Sequence, residues 1–231
     1  MKHKDKRIKN ILMDFCKDVD SLLNSTNLLN LVYKYVQVSK GDPLDEIADR
    51  FKDKMEYCLK NETVCLIVSN LLKKMTNGFS SELILYLRPF IISLIDLKNR
   101  KDLVRAYIEL GTDTDLEPLV NHINENFELF LKRGKYEYII FSFVEFEKTS
   151  VIDKIIGKFC EFLYSNPENS LKIVKCEDNV KSLQLLFLKS SEMMKIRLRD
   201  CLVQNEGLDH TETRRGNGRS LFELISRYFD K

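Results

Sequence analysis

The segment VIDKIIGKFCEFLYSNPENSLKIVK, residues 151–175, predicts two helices separated by a short loop that contains one proline. Similar helix pairs are predicted at residues 116–145 and 82–109. Any all-helical chain shows some of this pattern, so the question is whether a single unit is repeated. A fixed sequence period, kept through several units, distinguishes the two cases.

Apolar residues recur every 36 residues through four successive units. Amphipathic helices alone place apolar residues every three or four positions, so isolated matches are expected. Chance does not keep both helices of each unit in register without a gap. The aligned columns are Leu23, Leu59, Ile95, Leu131; Leu31, Ile67, Leu103, Ile139; Val32, Val68, Val104, Ile140; Tyr35, Leu71, Tyr107, Phe143; Val36, Leu72, Ile108, Val144; Ile47, Leu83, Leu119, Ile155; Ala48, Ile84, Val120, Ile156; and Phe51, Leu87, Ile123, Phe159.

A helix pair of this size cannot bury its apolar side alone, but stacked pairs can, and the stack is an α-solenoid. The sequence therefore predicts an all-α fold of helical hairpins. Register holds for units that begin near residues 19, 55, 91 and 127, and it slips after Phe159. The predicted parts are a basic N-terminal cap helix or arm over 1–18, a repeat array over 19–200, and a basic loop with a C-terminal capping helix over 201–231.

Four local signals predict helix ends. Asp42-Pro43 predicts a helix start, because proline suits the first helical position. Ser165 to Glu168 and Ser220 to Glu223 have the spacing of capping boxes, which open helices. Asn77-Gly78 predicts the end of a helix near Met75.

Composition excludes several classes. Gly and Pro are scarce, at 8 and 4, which disfavours sandwiches and barrels with many tight turns. The net charge of +2 indicates no general electrostatic attraction to nucleic acid, so a binding surface requires local clustering. The six cysteines form no CxxC pair, and we expect them to be reduced and buried.

Targeting signals are not evident in the sequence. No apolar region follows the charged first ten residues, so we expect no secretory signal. The longest apolar run, LILYLRPFIISLIDL at 83–97, is interrupted by Arg88 and Pro89, and we expect no membrane span. The expected location is the cytoplasm or the nucleus.

The repeat length and its apolar pattern resemble the Pumilio (PUF) RNA-binding repeat. LYSNPENSLKIVK (163–175) and LKRGKYEYIIFSF (131–143) are the segments most similar to that repeat. The resemblance implies a helical array in which the second helix of each repeat reads one RNA base, with two side chains that bond the base edge and one that stacks. HEAT or armadillo repeats, which are usually longer, remain the alternative.

At the positions that the resemblance assigns to base reading, this chain departs from the family pattern. Ile, Leu and Val cannot hydrogen-bond a base edge, and Asp repels phosphate. The resemblance therefore implies the fold without the base code, as in degenerate relatives similar to those of ribosome assembly. The assigned positions are Asn30, Leu31, Lys34; Leu66, Ile67, Asn70; Asp102, Leu103, Ala106; Tyr138, Ile139, Ser142; and Ser170, Leu171, Val174.

We find no sequence signature of catalysis. The chain has no GxxxxGK[ST], GxSxG, HExxH or CxxC motif, and its three histidines lack metal spacing. RRGNGRS (214–220) places two glycines before a predicted helix, where an anion could rest, but we favour a flexible loop with Ser220 as the helix cap. We predict no enzyme activity, no cofactor and no metal.

Two basic clusters are candidates for phosphate contacts, one in residues 2–9 and one in residues 189–219. Basic ends are also often simply solvated. Tyr138 could stack on a base, since it lies at the start of a second helix. The predicted RNA-binding residues are Lys34, Lys132, Tyr138, Ser170, Lys195, Arg197, Arg199, Arg214, Arg215 and Arg219.

Two functions follow from this. The first is a non-catalytic Pumilio-like RNA-binding protein of low sequence specificity, in ribosome assembly or RNA regulation. The second is a HEAT-like scaffold that binds a partner helix or peptide on its concave face. The RNA hypothesis requires Lys34, Lys132 and residues such as Arg105 on one continuous positive face, whereas the scaffold hypothesis expects an apolar or mixed-charge groove.

Overall fold

A computed structural model of the chain describes residues 10–11, 14, 18–40, 42–75, 77–97, 99–126, 137–165, 177–204 and 217–229. Within these ranges the regular secondary structure is helical, which confirms the predicted all-α class. The helices are α1 (Val19–Leu23), α2 (Thr26–Val38), α3 (Asp42–Lys52), α4 (Met55–Cys58), α5 (Glu62–Lys74), α6 (Asn77–Leu87), α7 (Ile91–Ile95), α8 (Lys101–Leu110), α9 (Asp113–Glu125), α10 (Glu137–Glu145), α11 (Thr149–Ser165), α12 (Glu177–Lys189), α13 (Glu192–Gln204) and α14 (Asn217–Phe229).

The sequence period is also a structural period. Helices α2 and α5 both contain 13 residues, and they begin 36 residues apart in the chain. Their N-caps recur as well: the Ser25 hydroxyl accepts a hydrogen bond from the Leu28 N–H at 3.4 Å, and the Asn61 side chain accepts one from the Val64 N–H at 3.2 Å. A polar side chain at this position of both units satisfies an N–H that the helix itself leaves unpaired.

The predicted apolar columns form the core. Leu31 is an exception at 47% exposure. Among the described helices, α2 packs mainly against the long helix α5 and the short helix α1. Four of the columns consist entirely of buried residues. They are Val32, Val68, Val104, Ile140; Ile47, Leu83, Leu119, Ile155; Ala48, Ile84, Val120, Ile156; and Phe51, Leu87, Ile123, Phe159.

The chain divides into two compact units, Met1–Asp115 and Leu116–Lys231, and the division falls inside α9. In unit 1, helices α2, α5 and α8 pack side by side, and we call them the front layer of unit 1. Helices α3 and α6 pack side by side behind α5 and form the back layer of unit 1. The predicted division into arm, array and end segment stays a prediction.

Unit 2 has the same two-layer order. Its front layer consists of α10, α12 and α14, in which α12 contacts both of the others. Its back layer consists of α11 and α13, which pack against each other, and α11 also contacts α10 and α12. Each unit is thus a stack of helix pairs, as the repeat predicts.

Polar side chains link neighbouring repeats of unit 1 through main-chain oxygens. Lys74 Nζ on α5 donates to the carbonyls of Val36, at 3.0 Å, and Gln37 at the end of α2. Ser69 Oγ on α5 donates to the Asp102 carbonyl on α8 at 3.1 Å. The first contact satisfies carbonyls that a helix end leaves unpaired, so it stabilises the end of α2 and fixes its register against α5.

The helix-end predictions have mixed outcomes. Helix α3 begins at Asp42, as Asp42-Pro43 predicts. Helix α5 ends at Lys74, as predicted, but Asn77 and Gly78 begin α6 instead of closing α5. The capping box at Ser220 is wrong, because α14 begins three residues earlier at Asn217 and includes Ser220. Residues 166–168 of the other predicted box lie outside the described residues.

The apolar stretch Gly78–Ile95 passes a length and composition test for a membrane span, with a mean hydropathy of 1.4 over 18 residues. In the structure a 3₁₀ turn at Arg88–Phe90 divides it into α6 and α7. Its residues Leu83, Leu87 and Ile91 are buried in the core of unit 1. Core packing therefore accounts for much of its apolar character.

Four of the six cysteines lie in described helices, and all four are buried: Cys58, Cys65, Cys160 and Cys201. This confirms the burial expected for cysteines that act as small apolar residues. Burial raises the pKa of both Cys58 and Cys65 to about 11. Cys16 and Cys176 lie outside the described residues.

Matched leucines test the repeat core. Leu103→Ala, at a position only 1% exposed, is expected to lower the free energy of unfolding by about 2–5 kcal/mol through a lost contact and a cavity. Leu31→Ala, at the equivalent repeat position but exposed, is expected to lower it by less than about 1 kcal/mol. Chemical denaturation measures both. Equal losses of stability in the two variants would contradict the claim that Leu103 is buried and Leu31 is exposed at equivalent repeat positions.

The buried thiols predict alkaline sensitivity. Because the folded state keeps Cys58 and Cys65 protonated to about pH 11, while the unfolded chain loses these protons near 9.0, stability is lost as pH rises from 9.0 to about 11. The loss is on the order of 2 kcal/mol for each thiol. Denaturation of the wild type and of the double variant Cys58→Ala/Cys65→Ala across this range measures it. If the free energy of unfolding depends on pH in the same way in both proteins, the prediction is contradicted.

Candidate functional site

The base-reading positions assigned by the Pumilio resemblance lie on the front-layer helices α2, α5, α8 and α10 wherever the structure describes them. Five of the twelve described positions are buried. Ser142 is 2% exposed, and its hydroxyl donates to the Tyr138 carbonyl of the same helix at 2.6 Å. The other buried members of the set are Ile67, Leu103, Ala106 and Ile139. A base therefore cannot reach the middle position of these repeats, except at Leu31 on α2.

The exposed side chains of the front layer in unit 1 include charges of both signs. Exposed side chains include Lys34, Asp102 and Arg105. Lys73 lies 3.8 Å from the carboxylate of Glu109, so an ion pair also links α5 and α8 at the surface. Within unit 1 the positive face required by the RNA hypothesis is thus interrupted by acids, and Lys132 lies outside the described residues.

The front layer of unit 2 carries a groove of about 530 Å³. Phe141 on α10 is 42% exposed at one wall. The groove is lined by Phe141, Lys181, Gln184, Leu185, Leu188, Glu223, Leu224 and Arg227. Its size lies within the usual range for small-ligand sites, and it combines apolar walls with two cations and an amide.

Sequence reasoning missed this groove because it assumed one period. Phe141, Gln184 and Arg227, on α10, α12 and α14, all line the groove, and they are spaced 43 residues apart. The slip after Phe159 was visible in the sequence. A search for a new period after the slip would have aligned these three residues.

The predicted RNA-binding residues Lys195, Arg197 and Arg199 lie on α13, in the back layer of unit 2. Lys195 is 7% exposed, and its ammonium lies 2.9 Å from Glu192 Oε1 and 3.0 Å from the Tyr228 hydroxyl oxygen, over the tyrosine ring. Burial lowers the pKa of Lys195, but hydrogen bonds with Tyr228 and Glu192 outweigh burial and raise it. The ammonium is therefore engaged in holding α13 to α14.

Arg199 also contacts an aromatic side chain of α14. Its guanidinium donates to Asp200 at 2.8 and 2.9 Å, and its central carbon lies 4.6 Å from the centre of the Phe229 ring. Arg197 is exposed and lies beside Gly157 of α11. The structure thus brings Lys195 and Arg199 together at the end of α14, away from the front-layer groove.

The remaining predicted site residues are not joined to that pair. Lys34 is exposed in the front layer of unit 1, and Tyr138 is half-buried in the front layer of unit 2, one turn before Phe141. Lys132, Ser170, Arg214 and Arg215, and the side chain of Arg219, lie outside the described residues. Their roles stay predictions.

A second groove, of about 670 Å³, lies on the back layer of unit 1. Tyr57 and Leu85 are its most exposed lining side chains. Lys52 lies between Asp49 and Glu82, at 2.6 and 2.9 Å, so its charge is neutralised inside the protein. The rest of the lining combines apolar and aromatic side chains with charged ones of both signs.

Among the residues that the structure describes, no three His, Cys, Asp or Glu side chains are grouped to hold a metal ion.

Comparison with known proteins identifies the repeat type. No family model and no curated protein matches this sequence. Solved structures do match: PUF-8 in complex with PBE-RNA (TM-score 0.69, 15% identity, 97% of this chain and 63% of that one) and the Puf4 RNA-binding domain bound to the HO endonuclease RNA 3′ UTR recognition sequence (TM-score 0.68, 15% identity, 91% and 64%). The Puf3 RNA-binding domain bound to site B of the Cox17 RNA 3′ UTR gives a TM-score of 0.63 at 14% identity over 96% and 70%.

These likenesses show the fold. The chain is a Pumilio-like α-solenoid of helical repeats, so the family resemblance and the fold class are confirmed. Of the two repeat types that the sequence left open, the structural matches support the Pumilio-like one. The chain spans 63% and 64% of the first two matching structures, less than two thirds of their length.

Lys195 provides a test of the back-layer contact. Lys195→Met removes the ammonium that joins Glu192 and Tyr228, and we expect the free energy of unfolding to fall by about 1–2 kcal/mol. Lys154→Met, at an exposed position on α11, is the control and is expected to change it by about 0.5 kcal/mol or less. Thermal and chemical denaturation measure both. Unchanged stability of the Lys195 variant would return this lysine to the list of candidate RNA contacts.

Proposed function

We propose that this protein is a non-catalytic RNA-binding repeat protein that holds single-stranded RNA on its front layers with low sequence specificity. The observation that carries the proposal is the placement of open side chains. On a fold shared with RNA-bound structures, the front-layer helices present cations, amides and an aromatic ring, such as Lys34, Arg105, Gln184 and Phe141.

Low specificity follows from the closed positions. Ile67, Leu103 and Ile139 are apolar and buried, so they neither stack on a base nor bond its edge. What stays open is suited to the RNA backbone and to base faces. Contacts with phosphate carry no sequence information, and stacking on an aromatic ring tolerates any base.

The biological setting we propose is the cytoplasm or nucleus, in ribosome assembly or in RNA regulation. PUF-8, Puf3 and Puf4 are seen with RNA on this fold, and this supports an RNA partner for the present chain. The loss of a base code favours a target recognised by backbone and shape rather than by a short sequence.

A second candidate function is binding of a protein partner. The back-layer groove of unit 1 favours it, since it exposes Tyr57, Leu85 and Tyr86 around Pro89. Aromatic residues of this kind are enriched in protein interfaces. The mixed charge of the front layer in unit 1 is also compatible with a scaffold.

Salt dependence tests the RNA proposal. Anisotropy of a labelled random RNA of about 20 nucleotides is measured from about 50 to about 200 mM salt, and affinity is expected to fall linearly on a double logarithmic scale. Lys34→Gln, in the front layer, is expected to reduce the slope by about 0.7, which corresponds to one phosphate contact.

The control for this experiment is Lys154→Gln on the back-layer helix α11, which is expected to leave the slope unchanged. Absence of RNA binding by the wild type at the lowest salt contradicts the proposal and leaves protein binding as the function that the surface supports. An equal reduction of the slope in both variants contradicts the assignment of binding to the front layer.

A further inference from the structure

We propose that the back layer of unit 2 contains a binding site for the soft monovalent ion Cu(I), with the thiolates of Cys160 on α11 and Cys201 on α13 as its two ligands. The two cysteines are 41 residues apart in the chain, so no short metal-binding motif contains them both. Both side chains are completely buried. The site is separate from the front-layer side chains proposed to bind RNA, and it does not depend on that function.

Two contacts determine how α11 and α13 lie against each other. Near the start of both helices, the Asp153 carboxylate accepts a hydrogen bond from the Ser191 N–H at 2.9 Å. Further along, the guanidinium of Arg197 passes over Gly157, with Nη1 3.7 Å from the position that a Cβ would occupy there. The two helices therefore run in the same direction, and their following turns lie beside each other.

The following turns bring two thiols into contact. Cys160 is hydrogen-bonded to Cys201, and the hydroxyl of Tyr164, one turn after Cys160, is hydrogen-bonded to Cys201 as well. The two cysteines are free and not joined in a disulfide. In unit 1, by comparison, the buried Cys65 thiol donates to the main-chain carbonyl of Leu59 at 3.3 Å. The pair in unit 2 thus offers two sulfur atoms to one ion.

Two adjacent thiolates favour a soft ion of low coordination number. Thiolate ligands select Cu(I), whereas a structural Zn²⁺ site requires four ligands in a tetrahedron. In the part of the chain that the structure describes, no third His, Cys, Asp or Glu side chain joins the pair. On binding, each thiol releases its proton to the solvent and each sulfur forms one bond to Cu(I). No electron is transferred in this step.

Arg197 balances the charge of the loaded site. Two thiolates and one Cu(I) together carry a single negative charge, and a buried charge requires a partner of opposite sign. The guanidinium of Arg197 is close enough to Cys160 to favour the thiolate form electrostatically. Arg197, which is also a predicted RNA-binding residue, therefore acts here as a positioning residue that stabilises the anionic complex.

Tyr164 provides a route for the ion. The residue is 49% exposed, although its hydroxyl is hydrogen-bonded to Cys201. One side chain therefore separates the buried sulfur atoms from the solvent at this end of α11. Rotation of that side chain opens the entry path that a metal site needs.

The test uses a variant that keeps only this pair of thiols, Cys16→Ala/Cys58→Ala/Cys65→Ala/Cys176→Ala. It is titrated anaerobically with Cu(I) in competition with the chelator bicinchoninate. One Cu(I) per chain is expected, with release of two protons and an ultraviolet absorption band from thiolate to metal. A further Cys160→Ser or Cys201→Ser substitution is expected to weaken binding by more than about 100-fold, because even changes outside the ligand set cost about 10- to 100-fold.

The matched control is made in the full chain, where Cys58→Ala/Cys65→Ala removes two equally buried thiols and is expected to bind Cu(I) like the wild type. In the same background, Cys160→Ala/Cys201→Ala is expected to lose the absorption band. Helicity and melting temperature show whether each variant is folded. Equal Cu(I) affinity and equal absorption in these two double variants overturn the proposal. A disulfide between Cys160 and Cys201 in protein treated with Cu(I) overturns it as well, because electrons have then left the sulfur atoms.

Arg197 is tested separately from its neighbours. Arg197→Gln is expected to weaken Cu(I) binding by about 10- to 100-fold, the usual effect of removing a partner outside the ligand set. Arg197→Lys keeps the positive charge and is expected to bind Cu(I) more tightly than the glutamine variant. If both variants bind Cu(I) like the wild type, the counter-charge role of Arg197 is overturned.

Discussion

Burial of the repeated apolar columns is the constraint on which the structure depends. A single helix pair has too little partner surface to remove residues such as Val68 and Phe51 from water, so each pair requires the next one along the chain. The consequence is visible at the edge of the stack. Leu31, which has no long helix on its far side among those described, stays exposed where its equivalents are buried. The 36-residue period of the sequence therefore marks the residues that neighbouring helix pairs bury against each other.

Polar contacts then fix how the pairs sit on one another within a unit. Apolar packing tolerates sliding, whereas a hydrogen bond to a main-chain oxygen does not. Lys74 and Ser69 on α5 reach carbonyls of α2 and α8, and Arg100 reaches the Lys60 carbonyl at 3.0 Å. In unit 2 the contact of Lys195 with Tyr228 has the same effect between α13 and α14. These cations therefore contribute to the architecture of each unit.

The contrast between apolar burial and specific polar contacts explains how much could be predicted from the sequence alone. The helix pairs and their core could be predicted, because burial leaves a regular apolar pattern that local reasoning detects. The site could not, because it depends on helix rotation and on distant partners. The sequence could not show that Lys195 is hydrogen-bonded inside the protein, because its partner Tyr228 lies 33 residues later in the chain. The groove was hidden by the change of spacing from 36 to 43 residues between Phe141 and Gln184. Asn77-Gly78 shows the same limit locally, since α5 ends near the predicted place but the two residues begin α6 instead of closing α5.

The core of the stack and the closing of several positions that the Pumilio resemblance assigns to base reading are two results of one arrangement. Ile67, Leu103 and Ile139 are buried in the core, so these positions stabilise the stack. A chain that uses these positions for its core leaves other side chains of the same helices at the surface. In unit 1 these include Lys34 and Arg105, and in unit 2 they include Phe141 and Arg227. Any recognition by the front layers therefore relies on these surface side chains and not on the buried positions.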